Sequence, residues 1–173
     1  MPLASLLLLA ALAEDPVPPA DSEVPVADIA VEAEHFDCLS KGTQVARSWY
    51  SSLTGRQETV VAIAQGKAPG PYPVGTVVQL FPGEAMVKRG PGFSPDTDDW
   101  EFLKIAVKGQ DTIILERGTT DIKNIGGTCA GCHAPARQDH DWVCAEGHGC
   151  KPLPGFVVKK ALKLTAKDPR CSE

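Results

Sequence analysis

The sequence predicts an α+β fold built predominantly from antiparallel β-sheet, with peripheral helices and a late helical turn. Three observations carry this. Segments rich in β-branched and aromatic residues follow one another through the middle of the chain. A polar tetrapeptide between two of them, Lys108-Gly109-Gln110-Asp111, has the composition of a hairpin turn. The helical patterns lie only outside or at the border of that run, which favours consecutive strands over alternating β and α units.

Taken in order, Thr43 to Ser52 (TQVARSWYSS) reads as the first strand. Thr54 to Gly66 reads as a helix, with Thr54 as its N-cap, Val60 and Ile63 on one face and Gly66 as its stop. Pro69, Gly70, Pro71, Pro73 and Gly75 make the next stretch a loop. Thr76 to Phe81 (TVVQLF) is a strand that Pro82-Gly83 ends, and Ala85 to Arg89 is a further short one. A Gly-, Pro- and Asp-rich stretch leads into Trp100 to Val107, where Leu103, Ile105 and Val107 alternate onto one face. Thr112 to Glu116 returns as its antiparallel partner, and the apolar residues of the basic stretch Phe156 to Lys167 lie along a short helix.

With 173 residues, 43% of them hydrophobic, the chain suits one globular domain. Residues 1–13 (MPLASLLLLAALA) form a leucine-rich run ending in a small-x-small pattern, which reads as a signal peptide and is too short to span a membrane. Residues 14–34 hold seven acidic residues, four prolines and no Lys or Arg, the composition of a solvated leader. Residues 35–173 are then the single domain. The net charge of −5 belongs to the leader; the domain itself is near neutral, so neither nucleic acid nor an anionic membrane is implied as a partner.

Six cysteines in an exported chain require an account in an oxidising compartment. Two of them, with the residue that follows, form Cys129-Ala130-Gly131-Cys132-His133, the C-x-x-C-H pattern of covalent haem attachment. On one helical turn this spacing lets each sulfur reach a haem vinyl group, while the adjacent imidazole projects toward the iron. The late helical turn is therefore read as haem-binding, with one covalent haem c as the cofactor and His133 as proximal iron ligand. Four cysteines remain and permit three pairings; Cys144 with Cys150 and Cys38 with Cys171 are favoured. The competing reading is zinc, because His140, Cys144, His148 and Cys150 follow the motif closely. Under the haem reading those two histidines are surface residues of the following loop.

The second axial position decides the function, since an occupied sixth site favours electron transfer and an open one lets small ligands bind. No methionine follows the motif, and Met86 is the upstream candidate for a second metal ligand; Lys88, Lys104 and His35 are weaker ones.

From Val45 to Ala134 the order of features resembles the cytochrome P-460 and cytochrome c′-β family. The features are a strand, a helix, the run Gly75-Thr76-Val77-Val78, the Trp-x-Phe strand at Trp100 to Phe102, and the late C-x-x-C-H. The resemblance implies an exported, sheet-dominated mono-haem homodimer with a five-coordinate iron and a chemistry of nitric oxide or hydroxylamine, and export together with a c-type haem points to a Gram-negative bacterial periplasm. The lysine that cross-links the porphyrin in hydroxylamine-oxidising members falls at Leu80, and leucine cannot form that bond. This points to the branch that binds nitric oxide in an apolar pocket. Val78 and Leu80 are then its apolar wall, with Phe81 or Phe102 as alternatives, and Trp100 packs on the porphyrin or fills the core.

Three functions follow from these residues. A gas-binding protein needs only His133 and an apolar distal side, with a small diatomic ligand as partner. An electron carrier closes the sixth site with Met86 and meets a redox partner protein. An oxidoreductase for a small nitrogen compound or a peroxide needs a distal proton-handling group such as Glu84, Glu101 or Lys88.

Overall fold

The computed structural model describes residues 27–124 and 127–171. The expected signal peptide and residues 14–26 of the expected leader lie outside them. Six strands form one antiparallel meander in sequence order: β1 Thr43–Val45, β2 Ser48–Ser52, β3 Thr76–Phe81, β4 Glu84–Lys88, β5 Trp100–Lys108 and β6 Asp111–Gly118. Helix α1 (Gln57–Ala64) follows β2, a two-stranded hairpin β7 (Lys123–Asn124) and β8 (Gly127–Thr128) follows the sheet, and α2 (Cys129–His133), α3 (Arg137–His140) and α4 (Gly155–Thr165) complete the chain. This is the α+β architecture that the consecutive β-rich segments predict. No helix among the described residues is long and apolar enough to cross a membrane.

The period of two along each strand sorts the core into two layers. Tyr50, Val78, Met86, Trp100 and Phe102 lie in one cluster with Val60 of α1 and with Ile122, Ala130, Trp142 and Val143 from the segments after the sheet. Val77, Ala85, Val87, Leu103 and Ile105 lie in a second cluster, closed by Val31 and Phe36 from the segment before β1.

Local chemistry moves several boundaries. The expected strand Thr43 to Ser52 is a hairpin, because Ala46 takes a positive φ of 52° and reverses the chain between β1 and β2. Thr54 does not cap α1: its hydroxyl donates to the Val74 carbonyl at 2.8 Å, and the helix starts three residues later. Residues 27–34, expected as part of the leader, pack on the sheet. Val31 is buried, and the Asp28 carboxylate accepts from the Arg89 guanidinium at 2.6 and 3.0 Å, so residues 27–34 belong to the domain. Helix α4 forms where expected, yet Ala161 is its buried residue while Phe156, Leu162 and Leu164 face outward.

The two favoured disulfides are present: the sulfurs of Cys38 and Cys171 lie 2.10 Å apart and those of Cys144 and Cys150 2.03 Å apart. The first ties the two ends of the described domain together. Beside it Arg170 and Asp168 form a fully buried ion pair, and Arg170 also donates to the Phe36 carbonyl at 2.7 Å.

Candidate functional site

The register of the meander sets one residue from every strand in a single cross-strand row. Thr43 opposes Tyr50, Tyr50 opposes Val78, Val78 opposes Met86, Met86 opposes Phe102, and Phe102 opposes Gly118. Val78, Met86 and Phe102 are thus adjacent on one face, three buried apolar side chains side by side. The row ends in a glycine for a steric reason. A Cβ at position 118 would lie 2.6 Å from Asp121 Oδ1 and 3.1 Å from Ile122 Cδ1, so its absence lets Ile122 fold back over the sheet.

Ile122 delivers the motif. Its carbonyl accepts from the Cys129 amide at 2.8 Å, and the β7–β8 hairpin turns the chain into α2. Thr128 caps that helix, its hydroxyl accepting from the Gly131 amide at 3.0 Å. A Cβ on Gly131 would approach the same hydroxyl to 2.9 Å, so a residue without one suits the cap. Ala130 is buried in the cluster that contains the row and Cys129 packs against it, whereas Cys132 is exposed. Neither of these cysteines is in a disulfide. Burial, with the nearby Glu84 carboxylate adding to it, pushes the Cys129 thiol up to about 11.

His133 stands where the helix, the sheet and the following loop meet. Its ring centroid is 5.3 Å from that of Phe102. Its Nδ1 lies 2.7 Å from the Trp142 carbonyl oxygen. A carbonyl only accepts, so Nδ1 carries the proton and the lone pair of the neutral ring is on Nε2. Burial lowers the imidazole pKa below its ordinary value, outweighing that hydrogen bond, and keeps the ring neutral.

A polar network that sequence reasoning did not find surrounds this arrangement. Asp141 Oδ1 accepts from Lys88 Nζ at 2.7 Å and from the Trp100 indole at 3.1 Å, and its Oδ2 accepts from the Tyr72 amide at 2.8 Å. Asp98 repeats the pattern, accepting from the Trp142 indole at 2.8 Å and from Arg137 at 2.8 and 2.9 Å. Hydrogen bonding to Arg137 holds the Asp98 carboxyl below the usual carboxylate range. Both aspartates sit at positive φ, 46° for Asp98 and 43° for Asp141, a conformation Asp tolerates better than most residues. The preference of Asp for such turns is the only sequence signal that marks them.

Of the residues singled out from the sequence, Val78, Met86 and Phe102 come together with Cys129 and Ala130 on one face. Trp100 shares that face, fully buried, with its indole committed to Asp141 and Lys88 Nζ 5.1 Å from its ring. Leu80 and Phe81 lie where the β3–β4 register shifts between Val78 and Phe81, and both are only half-buried. Glu101 faces the other layer. Lys88 is engaged by Asp141, Lys104 by Glu116 at 3.1 Å, and His35 accepts from the Glu32 amide at 3.0 Å. His140 and His148 are not free surface histidines. Both are half-buried with rings stacked 3.4 Å apart, and His148 Nδ1 donates to the Val143 carbonyl at 2.6 Å. Cys144 and Cys150, joined to each other, have no thiolates to offer zinc.

No family model, curated protein or solved structure matches the chain. The donor set itself fits the haem that the motif implies. Two unpaired thiols stand at positions i and i+3 of one helical turn, beside a neutral imidazole with an unprotonated Nε2, and Cys129 packs against the apolar cluster that holds Val78, Met86 and Phe102.

Proposed function

We infer that this chain is an exported mono-haem c-type protein that binds a small diatomic gas, nitric oxide being the ligand to test. Cys129 and Cys132 attach the haem and His133 ligates its iron. The observation that carries the reading is the 2.7 Å contact from His133 Nδ1 to the Trp142 carbonyl. An imidazole that ligates a metal through one nitrogen donates its other N–H to a fixed acceptor, which orients the ring and sets the tautomer. Bound there, haem supplies an iron centre that takes up a diatomic ligand or passes an electron. The chain holds the thiols on a capped turn, keeps the imidazole neutral and presents Val78 and Phe102 as an apolar, water-excluding surface.

Two further observations support the gas-binding form. Lys88 is taken by Asp141, and Glu101 lies on the opposite layer, so both are committed elsewhere than to proton handling. The two disulfides fit an oxidising compartment, of which a periplasm is one. The resemblance to the cytochrome c′-β family agrees with a sheet that presents an apolar face to a late haem motif.

One observation favours a second reading. Met86 is buried in the same cluster as Ala130, between Val78 and Phe102, so its thioether is the sulfur that a six-coordinate electron carrier would use as its second ligand.

The test is the absorption spectrum of the chain matured with haem, ferric and reduced, before and after addition of nitric oxide, with intact mass to count covalent haem. A high-spin spectrum that changes with the gas is expected. A low-spin spectrum indifferent to the gas would establish the electron carrier, and a mass without haem would overturn both.

A further inference from the structure

A carbonyl oxygen is aimed only by its own backbone, so the orientation of His133 depends on what holds residues 141 and 142. Asp141 and Trp142 are consecutive residues at positive φ, 43° and 66°. That conformation is disfavoured for residues with a Cβ, and two in succession persist only where the surroundings over-determine them. Asp141 supplies the constraint. Its two oxygens accept from three donors on three different segments: Lys88 at the end of β4, Trp100 at the start of β5, and the amide of Tyr72 in the loop before β3. Both strand residues face the layer that contains Phe102, the neighbour of the His133 ring. An ion pair with Lys88 alone leaves the other two hydrogen bonds unexplained, since neither Trp100 nor the Tyr72 amide carries a charge to neutralise.

We propose that Asp141 is a positioning residue: it pins the Asp141–Trp142 turn to the sheet and thereby aims the Trp142 carbonyl at His133 Nδ1, fixing the tautomer that leaves Nε2 bare. The link from that tautomer to iron rests on the haem reading; the tautomer itself is a property of the chain without haem. The two therefore fail separately.

The experiment uses the full chain carrying Cys129→Ser and Cys132→Ser, which cannot attach haem, labelled with 15N-histidine and examined by long-range 1H–15N correlation. In this parent His133 is expected as the Nδ1–H form, and an Nε2–H signal would overturn the proposal at once. Lys88→Met with Asp141→Asn removes both charges but keeps a side-chain carbonyl at position 141; it is expected to retain the parent signature. Lys88→Met with Asp141→Ala removes the anchor, and the Nδ1–H population is expected to fall at least twofold. The parent signature in that variant would overturn the proposal. Should the alanine variant not fold, Lys88→Met with Asp141→Gly decides instead, because glycine accepts positive φ without strain yet has no side chain to pin. An unchanged tautomer there would be equally fatal. Intact mass of the cysteine-bearing chain after maturation reads haem attachment independently of all these outcomes.

Discussion

Glu101 and Phe102 are consecutive residues of β5 and serve opposite layers of the sheet. Phe102 stands beside the His133 ring, 5.3 Å between centroids. The Glu101 carboxylate is clamped from the far side by Arg89 Nη1 at 2.6 Å and by Arg117 at 2.6 and 3.0 Å, and Arg89 passes the network on to Asp28. One turn of the pleat thus separates an apolar wall from a charged clamp. The clamp fastens the segment before β1 to the sheet, since Arg117 also donates to the Val31 carbonyl at 3.0 Å.

Glu101→Gln should therefore affect folding and leave the layer that faces His133 unchanged. Removing the shared carboxylate of a buried charge cluster leaves Arg117 without its anion and Arg89 with Asp28 alone, a loss of about 3 kcal/mol. Urea unfolding should show that loss, while the ferrous absorption spectrum and the nitric oxide response stay as in the parent. A shifted spectrum would mean that the two layers are not separate.

Much of this arrangement is legible in the sequence, and the illegible part has a physical cause. Alternation and β-branched content disclose β3 to β6, and the spacing of Cys129, Cys132 and His133 discloses the helical turn, because both are local signals. The adjacency of Val78, Met86 and Phe102 is a matter of register, and register is set by two hairpins whose turns the sequence shows only approximately. The bulge after Val78, which takes Leu80 out of the expected wall, leaves no compositional trace. Asp98 and Asp141 are harder still. Each looks like an ordinary turn residue, and its partners lie 39 to 69 residues away in the chain. Residues 27–34 are hard to read for the opposite reason: acidic composition implies solvation, yet Val31 and Asp28 find an apolar layer and an arginine that only the folded sheet provides.

Thr128→Ala removes the hydroxyl that accepts from the Gly131 amide and with it the side-chain cap of α2. A lost cap costs about 1 kcal/mol. The turn carrying both thiols frays, so the variant should unfold at lower denaturant and show a smaller haem-bearing fraction by intact mass after maturation under limiting haem. Full attachment would show that the cap does not organise the thiols.

The two disulfides should differ in worth. Cys38 and Cys171 are 133 residues apart and Cys144 and Cys150 only 6. Chain entropy assigns about 5 kcal/mol to the long loop and about 2 kcal/mol to the short one. Replacing each pair by serines and comparing denaturation midpoints should reproduce that order. The long closure also holds the terminal segment where Arg170 donates to the Phe36 carbonyl and to Thr112 Oγ1, so its loss should raise amide exchange around Phe36 and Arg170.

Asp98 gives the acid side of the stability profile. Its hydrogen bonds from Arg137, and after them the Trp142 indole, lower its folded-state pKa below the ordinary value of 3.8. The unfolded chain therefore binds the proton more readily. The stabilisation is present in full above the ordinary carboxylate pKa and is lost as pH falls through it toward the folded value. Asp98→Asn, which never carries the charge, should be less stable than the parent at pH 7, and the gap should narrow as pH falls below about 4. A gap that stays constant from pH 7 to pH 3 would show that the charge of Asp98 contributes nothing.

Met86 separates the two haem readings without endangering the fold. It is buried at 4% exposure between Val78 and Phe102, and leucine fills nearly the same volume, so Met86→Leu should cost under about 1.5 kcal/mol. Leucine has no sulfur to offer iron. If the thioether only fills the core, the ferric and ferrous spectra of Met86→Leu coincide with those of the parent and the gas response is retained. If the thioether is the sixth ligand, the substitution opens the site: a low-spin parent becomes high-spin and starts to respond to nitric oxide. Coincident spectra are the expected result, because a single buried methionine in a strand, flanked by Val78 and Phe102, is more often core filler than a metal ligand.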